Sequence, residues 1–134
     1  GEITYKDVLT VLPFGNTLTT VEMNGQEVLD YLAVVAAKPT NSGAFAHFSG
    51  IEMMINDGKV SDVKVSGDKI DTGKTYKMAI LSFSAGGGDK YPKLSNKAGF
   101  VDTGFLDADV LKEYVENNSP LKVANFKPQG VVRQ

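Results

Sequence analysis

Two clusters in the chain carry residue types that could hold a ligand. One is Phe83-Ser84-Ala85-Gly86-Gly87-Gly88-Asp89, an aromatic ring followed by three glycines and a carboxylate. Glycines without side chains let bare backbone approach a bound molecule closely. The other is Pro13-Phe14-Gly15-Asn16, an aromatic in a turn with an amide two residues on. The residues alone leave two readings open. In one, both phenylalanines are core residues followed by turns. In the other, two rings on loops clamp a flat aromatic group, while Asn16 and Asp89 read its polar edges. Stacking a base on a ring is worth roughly 1–3 kcal/mol, and a carboxylate can accept from two ribose hydroxyls.

Other chemistries are poorly served. His47 is the sole histidine, in the apolar context Ala44-Phe45-Ala46-His47-Phe48. A single imidazole cannot build a zinc site, and no His-Glu-x-x-His pattern exists, so His47 reads as a structural or surface residue. Cysteine is absent, which excludes disulfides, thiolate metal ligands and cysteine nucleophiles. Ser82 and Ser84 flank Phe83, but nothing in the sequence ties either to a base. Asp107 and Asp109 fit the start of a helix, where they cap it and complement its dipole. Gly73-Lys74-Thr75 ends like a phosphate-binding loop. The first glycine of that motif should fall at position 68, which is Asp, and a strand rather than a helix follows.

The elements that must position the clusters follow from periodicity and punctuation. Thr4-Tyr5-Lys6-Asp7 resembles a capping box and predicts a helix over 7–12, stopped before Pro13. Residues 17–23, rich in Thr and Val, predict a strand. Asn24-Gly25 would suit a hairpin. However, Val28, Leu29, Leu32, Val35 and Ala36 share one helical face, so Asn24 is instead an N-cap for a helix ending at Lys38-Pro39. A loop over 39–43 precedes a strand-like stretch, 44–56, broken at Ser49-Gly50. Asn56-Asp57-Gly58 is a hairpin signal with a return strand over 59–65. Polar turn material covers 67–75, a strand covers 76–83 with Phe83 at its end, and 84–90 is a flexible loop. Asp107 caps a helix carrying Val110, Leu111, Tyr114 and Val115 on one face, ending near Asn118-Ser119-Pro120. The tail from 121 to 134 reads as extended, punctuated by Pro128 and Gly130. About six strands and three helices without βαβ alternation make the fold class α+β.

Composition sets the outer bounds. The 134 residues, 42% hydrophobic and 22% charged, fit one globular domain. A chain of this length builds a core without disulfides or metals. A net charge of −2 argues against a nucleic-acid polymer as partner. The longest apolar run, 32–37, is far short of the ~20 residues that cross a bilayer. The sequence opens at Gly1 with neither Met nor leader, which reads as a processed protein or cut piece with any targeting signal out of sight.

The order of several motifs carries a resemblance. Pro13-Phe14-Gly15-Asn16, Asn24-Gly25-Gln26-Glu27-Val28, Ser42-Gly43, Tyr76-Lys77-Met78-Ala79 and Gly86-Gly87-Gly88-Asp89-Lys90-Tyr91 resemble the C-terminal domain of the bacterial 5′-nucleotidases. The likeness is greatest to the periplasmic 5′-nucleotidase / UDP-sugar hydrolase branch. It extends through Thr103-Gly104-Phe105-Leu106-Asp107 to Lys127-Pro128-Gln129-Gly130.

The resemblance implies that 1–134 is a substrate-binding domain layered α/β/β/α. It also implies that a separate N-terminal metallophosphoesterase domain carries two divalent metal ions and the catalytic residues, leaving no catalytic residue, metal or cofactor in this chain. Phe14 and Phe83 would then sandwich a base, Asn16 would bond its edge, Gly43 would line the base pocket through its backbone, and Asp89 would hold the ribose hydroxyls. AMP, a UDP-sugar or an NAD-like nucleotide is the implied ligand, and the implied location is the periplasm or cell envelope. One departure stands out. In the family, an upstream Gly-Gly-x-Arg stretch of the same domain supplies a phosphate-contacting arginine, whereas the only arginine here is Arg133. The domain is therefore expected to be truncated at its N-terminus. The alternative is a non-catalytic ligand- or partner-binding module that keeps the fold and not the nucleotide site, and two rings packed into the core would favour it.

Overall fold

The computed structural model describes residues 1–127 and the backbone of Val132 and Arg133. Contacts divide the chain into two units: Gly1–Val21 with Met78–Phe126, and Glu22–Lys77 with the tail from Lys127. Both are mixtures of helix and mainly antiparallel strand, as the α+β expectation requires.

In the first unit, helix α1 (Tyr5–Val11) starts where its cap dictates. The Thr4 hydroxyl oxygen accepts from Asp7 N–H at 3.3 Å, and the Asp7 carboxylate accepts from Thr4 N–H at 2.7 Å. Tyr5 and Lys6 complete the turn between cap and box, so the helix begins two residues ahead of the predicted 7–12. The two hydrogen bonds from Thr4, side chain first and backbone second, hold the Asp7 pKa below the ordinary carboxylate range. Helix α1 lies against the helix over Asp107–Asn118, with Val8 buried beneath it. The Tyr5 hydroxyl donates to Asp109 at 2.9 Å, and that bond raises the phenol's pKa.

Strands β1 (Thr17–Asn24), β5 (Thr75–Leu81) and β6 (Val101–Leu106) form a sheet in the order β5-β1-β6. Alternation along β1 buries Thr19, Val21 and Met23. Strand β6 had no counterpart among the sequence expectations. It holds Gly104 at φ +72°, and its Val101, Phe105 and Leu106 are all exposed, so it lacks the period-two pattern that signals a strand. Tertiary pairing defines it instead: Thr17 faces Leu106, and the Thr103 hydroxyl donates to Leu18 O at 2.7 Å.

The helix after β6 begins at Asp107 with Leu106 as its N-cap. Asp107 is thus not the cap expected of it but the first helical residue. It is buried, and its carboxylate accepts from Ala108 N–H at 2.7 Å. The helix stops at Asn118 because Ser119, ahead of Pro120, is extended.

In the second unit, helix α2 (Gly25–Ala36) is capped by Asn24, whose side-chain oxygen accepts from Glu27 N–H at 2.8 Å. The helical reading of Asn24-Gly25 therefore holds over the hairpin. Val28, Leu32, Val35 and Ala36 are buried, and Leu29 is half-buried. Helix α2 lies on β3 (Lys59–Val65), which pairs with β2 (Ile51–Asn56) and β4 (Asp68–Lys69) in the order β4-β3-β2-β7. Strand β7 is Val132–Arg133, parallel to β2.

The Asp57-Gly58 turn has φ of +50° and +72° between the paired Asn56 and Lys59. Ser66-Gly67, at +51° and +88°, repeats the geometry before β4, so a short strand stands inside the stretch expected to be all turn.

Residues 44–50, expected to begin the strand before β2, do not pair with it. Successive turn bonds, Ser42 N–H to Pro39 O and Phe45 N–H to Ser42 O, curl this segment, and Gly50 at φ +83° breaks it from β2. Phe45 is buried, while His47 is exposed with its ring edge-on to Phe45 at 5.9 Å between centroids. The predicted extended tail instead contains a 3₁₀ turn over Val123–Asn125. Pro128, Gln129 and Gly130 lie outside the described residues.

Gly73-Lys74-Thr75 has a structural task. Gly73 N–H donates to the Asp71 carboxylate at 2.9 Å, and Lys74 O accepts from Gly25 N–H at 2.9 Å. The segment is a turn that satisfies a first-turn amide of α2.

Candidate functional site

Strand β5 ends at Leu81, two residues before the sequence suggests, and a single helical turn, α3 (Ser82–Ala85), follows. Phe83 therefore stands on a helical turn and not at a strand end. Asn16 is the reason. Its side-chain oxygen accepts from Phe83 N–H at 2.9 Å and from the Ser82 hydroxyl at 3.2 Å, and that hydroxyl oxygen accepts from Thr17 N–H at 3.0 Å. Gly86 N–H to Ser82 O, at 2.9 Å, closes the turn.

The network also assigns Ser82. Its hydroxyl proton is given to Asn16, so it positions the turn and is not poised as a nucleophile. The sequence offered no sign of this bond, which joins residues 66 apart.

The glycine-rich stretch is built rather than loose. Gly87 turns the chain at φ +96°, and Gly88–Lys90 forms a 3₁₀ turn. Asp89 and Lys90 sit at φ +54° and +63°, a left-handed conformation that side chains adopt at some cost. Leu94 N–H and Ser95 N–H both donate to Ala85 O, at 2.8 and 3.2 Å, and Tyr91 and Leu94 are buried, so the far end of the stretch is anchored. The expectation of a flexible loop gives way to a fixed turn.

The two rings are surface features. Phe14 is 87% exposed and Phe83 is 55% exposed. Because a backbone N–H can only donate, the Phe83 amide fixes which end of the Asn16 side chain faces it. The oxygen turns inward, and the NH2 group is the end that can meet an acceptor elsewhere. Phe14, Asn16, Phe83 and Asp89 all belong to the first unit. Gly43 belongs to the second, on the curled 39–50 segment, and a Cβ placed on it would meet nothing within 4 Å. Nothing in the chain's own packing requires glycine there.

Among the described residues, no group of three or more His, Cys, Asp or Glu is gathered that could hold a metal ion. No helix among them is long and apolar enough to cross a membrane.

Comparison with known proteins places this α+β chain in a family. A family model described as "5'-nucleotidase, C-terminal domain" matches residues 1–96, and the chain belongs to this family. It is 56% identical over 132 residues to a 5′-nucleotidase of Vibrio cholerae, covering 98% of this chain and 24% of that protein. Among solved structures, a 5′-nucleotidase precursor of Thermus thermophilus superposes with a TM-score of 0.84 at 31% identity, over 98% of this chain and 28% of that one. A Haemophilus influenzae NAD nucleotidase superposes with a TM-score of 0.72 at 31% identity, over 89% of this chain and 25% of that one. The chain thus spans about a quarter of the length of these relatives.

Proposed function

We propose that this chain is the substrate-binding part of a metal-dependent 5′-nucleotidase or nucleotide-sugar hydrolase. The exposure of Phe14 and Phe83, on turns linked through Asn16, is the observation that carries the reading. Two rings held at the surface can stack a base, each face contributing roughly 1–3 kcal/mol. The NH2 group of Asn16 bonds an acceptor on the base edge, and the Asp89 carboxylate accepts from ribose hydroxyls.

Hydrolysis would belong to a separate N-terminal metallophosphoesterase domain, where two divalent metal ions would supply an activated water and charge neutralisation at the leaving oxygens. This chain binds and orients the nucleoside so that the phosphate end is presented. AMP, UDP-sugars and NAD-like nucleotides all offer a stackable base. The relatives' names, a 5′-nucleotidase and an NAD nucleotidase, agree with that range. The whole protein would work in the periplasm or cell envelope. Rings packed into the core would have favoured the alternative, a non-catalytic module of the same fold, and both rings are exposed.

The test is an NMR titration of the 134-residue chain with AMP, UDP-glucose, NAD and base-free ribose 5-phosphate. Base-bearing ligands should shift the amides of Phe83 and Asp89. Phe14→Ala and Phe83→Ala should each weaken their binding about 5- to 150-fold, with the melting temperature unchanged and ribose 5-phosphate indifferent. The reading fails if no base-bearing ligand shifts these amides, or if both variants melt several degrees lower and lose all ligands alike.

A further inference from the structure

The three consecutive glycines are not equivalent. Gly87 turns the chain at φ +96°, which accounts for glycine there by backbone conformation. Gly88 has no such need, since its φ lies outside the left-handed region. What excludes a side chain at Gly88 is an aromatic ring. A Cβ built on it would stand 2.5 Å from Phe83 Cε1, 2.6 Å from Cζ and 2.7 Å from Cδ1. All three are atoms of one ring, and no real Cβ makes contacts that close. The ring of Phe83 therefore rests on the bare Cα of Gly88 while more than half of the residue stays open to solvent. The rest of Phe83 is equally constrained: its N–H is held by Asn16 at 2.9 Å, and the turn that bears it is closed by Gly86.

We infer that Gly88 is a positioning residue for aromatic recognition. It supports one side of the Phe83 ring, so that the ring is already oriented before a planar ligand stacks on its open side. The inference deepens the nucleotide-binding reading and rests on it. A ring fixed in advance loses less conformational entropy when the ligand arrives, which strengthens binding without adding a contact. A methyl group at Gly88 would push the ring off its support into other rotamers. Because the ring is half exposed, it can move without opening the core. The effect should therefore fall on affinity and not on folding.

The experiment has two parts. The first needs no ligand. The α-protons of Gly88 lie in the ring current of Phe83, so their NMR shifts should be displaced from ordinary glycine values and should return to them in Phe83→Leu. Ordinary Gly88 shifts in the unaltered chain would overturn the support itself.

The second part is a double-mutant cycle in AMP affinity with Gly88→Ala and Phe83→Leu, with a melting curve for each variant. Gly88→Ala should weaken AMP at least about fivefold, the low end for losing one stacked face, with melting unchanged. In the Phe83→Leu background it should cost almost nothing further, because the residue it acts through is gone. If Phe83→Leu weakens AMP and Gly88→Ala does not, the positioning role is wrong and the clamp stands. If the two losses add in full, Gly88 acts on its own and not through the ring. If neither variant changes AMP affinity, the nucleotide reading falls and takes this inference with it.

Discussion

Asp89 shows how a single residue can be chosen against its backbone preference. At φ +54° it occupies a conformation that suits glycine, yet the position holds a carboxylate directly after three glycines. Asn tolerates the same conformation, so Asp89→Asn removes the charge without new strain. Hydrogen bonds accepted by a charged oxygen are about twice as strong as neutral ones. Asp89→Asn is therefore expected to weaken AMP about fivefold more than 2′-deoxy-AMP, as calorimetric titration of both ligands would show. Equal losses for the two would take Asp89 away from the ribose. The type of residue at 14, 16, 83 and 89 was legible in the sequence. That Asn16 spends its oxygen on Phe83 was not, because the bond joins positions 67 apart and leaves no local trace.

Caps and turns decide where the elements lie. The capping box of α1 couples its stability to acid. Because hydrogen bonds from Thr4 lower the Asp7 pKa in the folded chain, the carboxylate contributes stability above the unfolded value of about 3.9, and that contribution is lost as pH falls through the folded value. Melting temperatures across pH 2 to 6 should therefore fall more steeply on the acid side for the unaltered chain than for Asp7→Asn, and parallel curves would refute the coupling.

Helix α2 is tied down from its other partner, the 71–74 turn. A Cβ on Gly25 would overlap the Asp71 carbonyl oxygen and stand 2.8 Å from Thr72 Cα, all of it backbone that cannot swing aside. Gly25→Ala should cost about 3 kcal/mol, the upper end of ordinary overpacking, read from the midpoint of a urea unfolding curve. A cost under about 1 kcal/mol would mean the turn can move. The capping box of α1 could be read from a three-residue spacing, and α2 from its Asn24 cap and its apolar face. The C-terminal end of β5 and the whole of β6 could not, since the hydrogen bonds that Asn16 accepts from Ser82 and Phe83, and the one that Thr103 donates to Leu18, set them across long separations.

At the scale of the whole molecule, recognition and chemistry should separate. The chain has one histidine, and its described residues gather no metal-binding group. With added divalent metal, the purified chain should release no phosphate from AMP in a phosphate assay, and metal-dependent release would place the hydrolytic step within it. The sequence by itself determined the α+β class, two of the caps, the Asn56–Lys59 hairpin and the family, because each rests on local spacing or on an ordered set of short motifs. Tertiary structure alone decided that Phe14 and Phe83 face solvent, that Gly73-Lys74-Thr75 serves the start of α2, and that the glycine-rich stretch is a fixed turn. The physical reason is range. A ring's exposure depends on what folds against it, and a glycine's necessity depends on what comes within a few ångströms. Neither is written within a few residues of the position concerned.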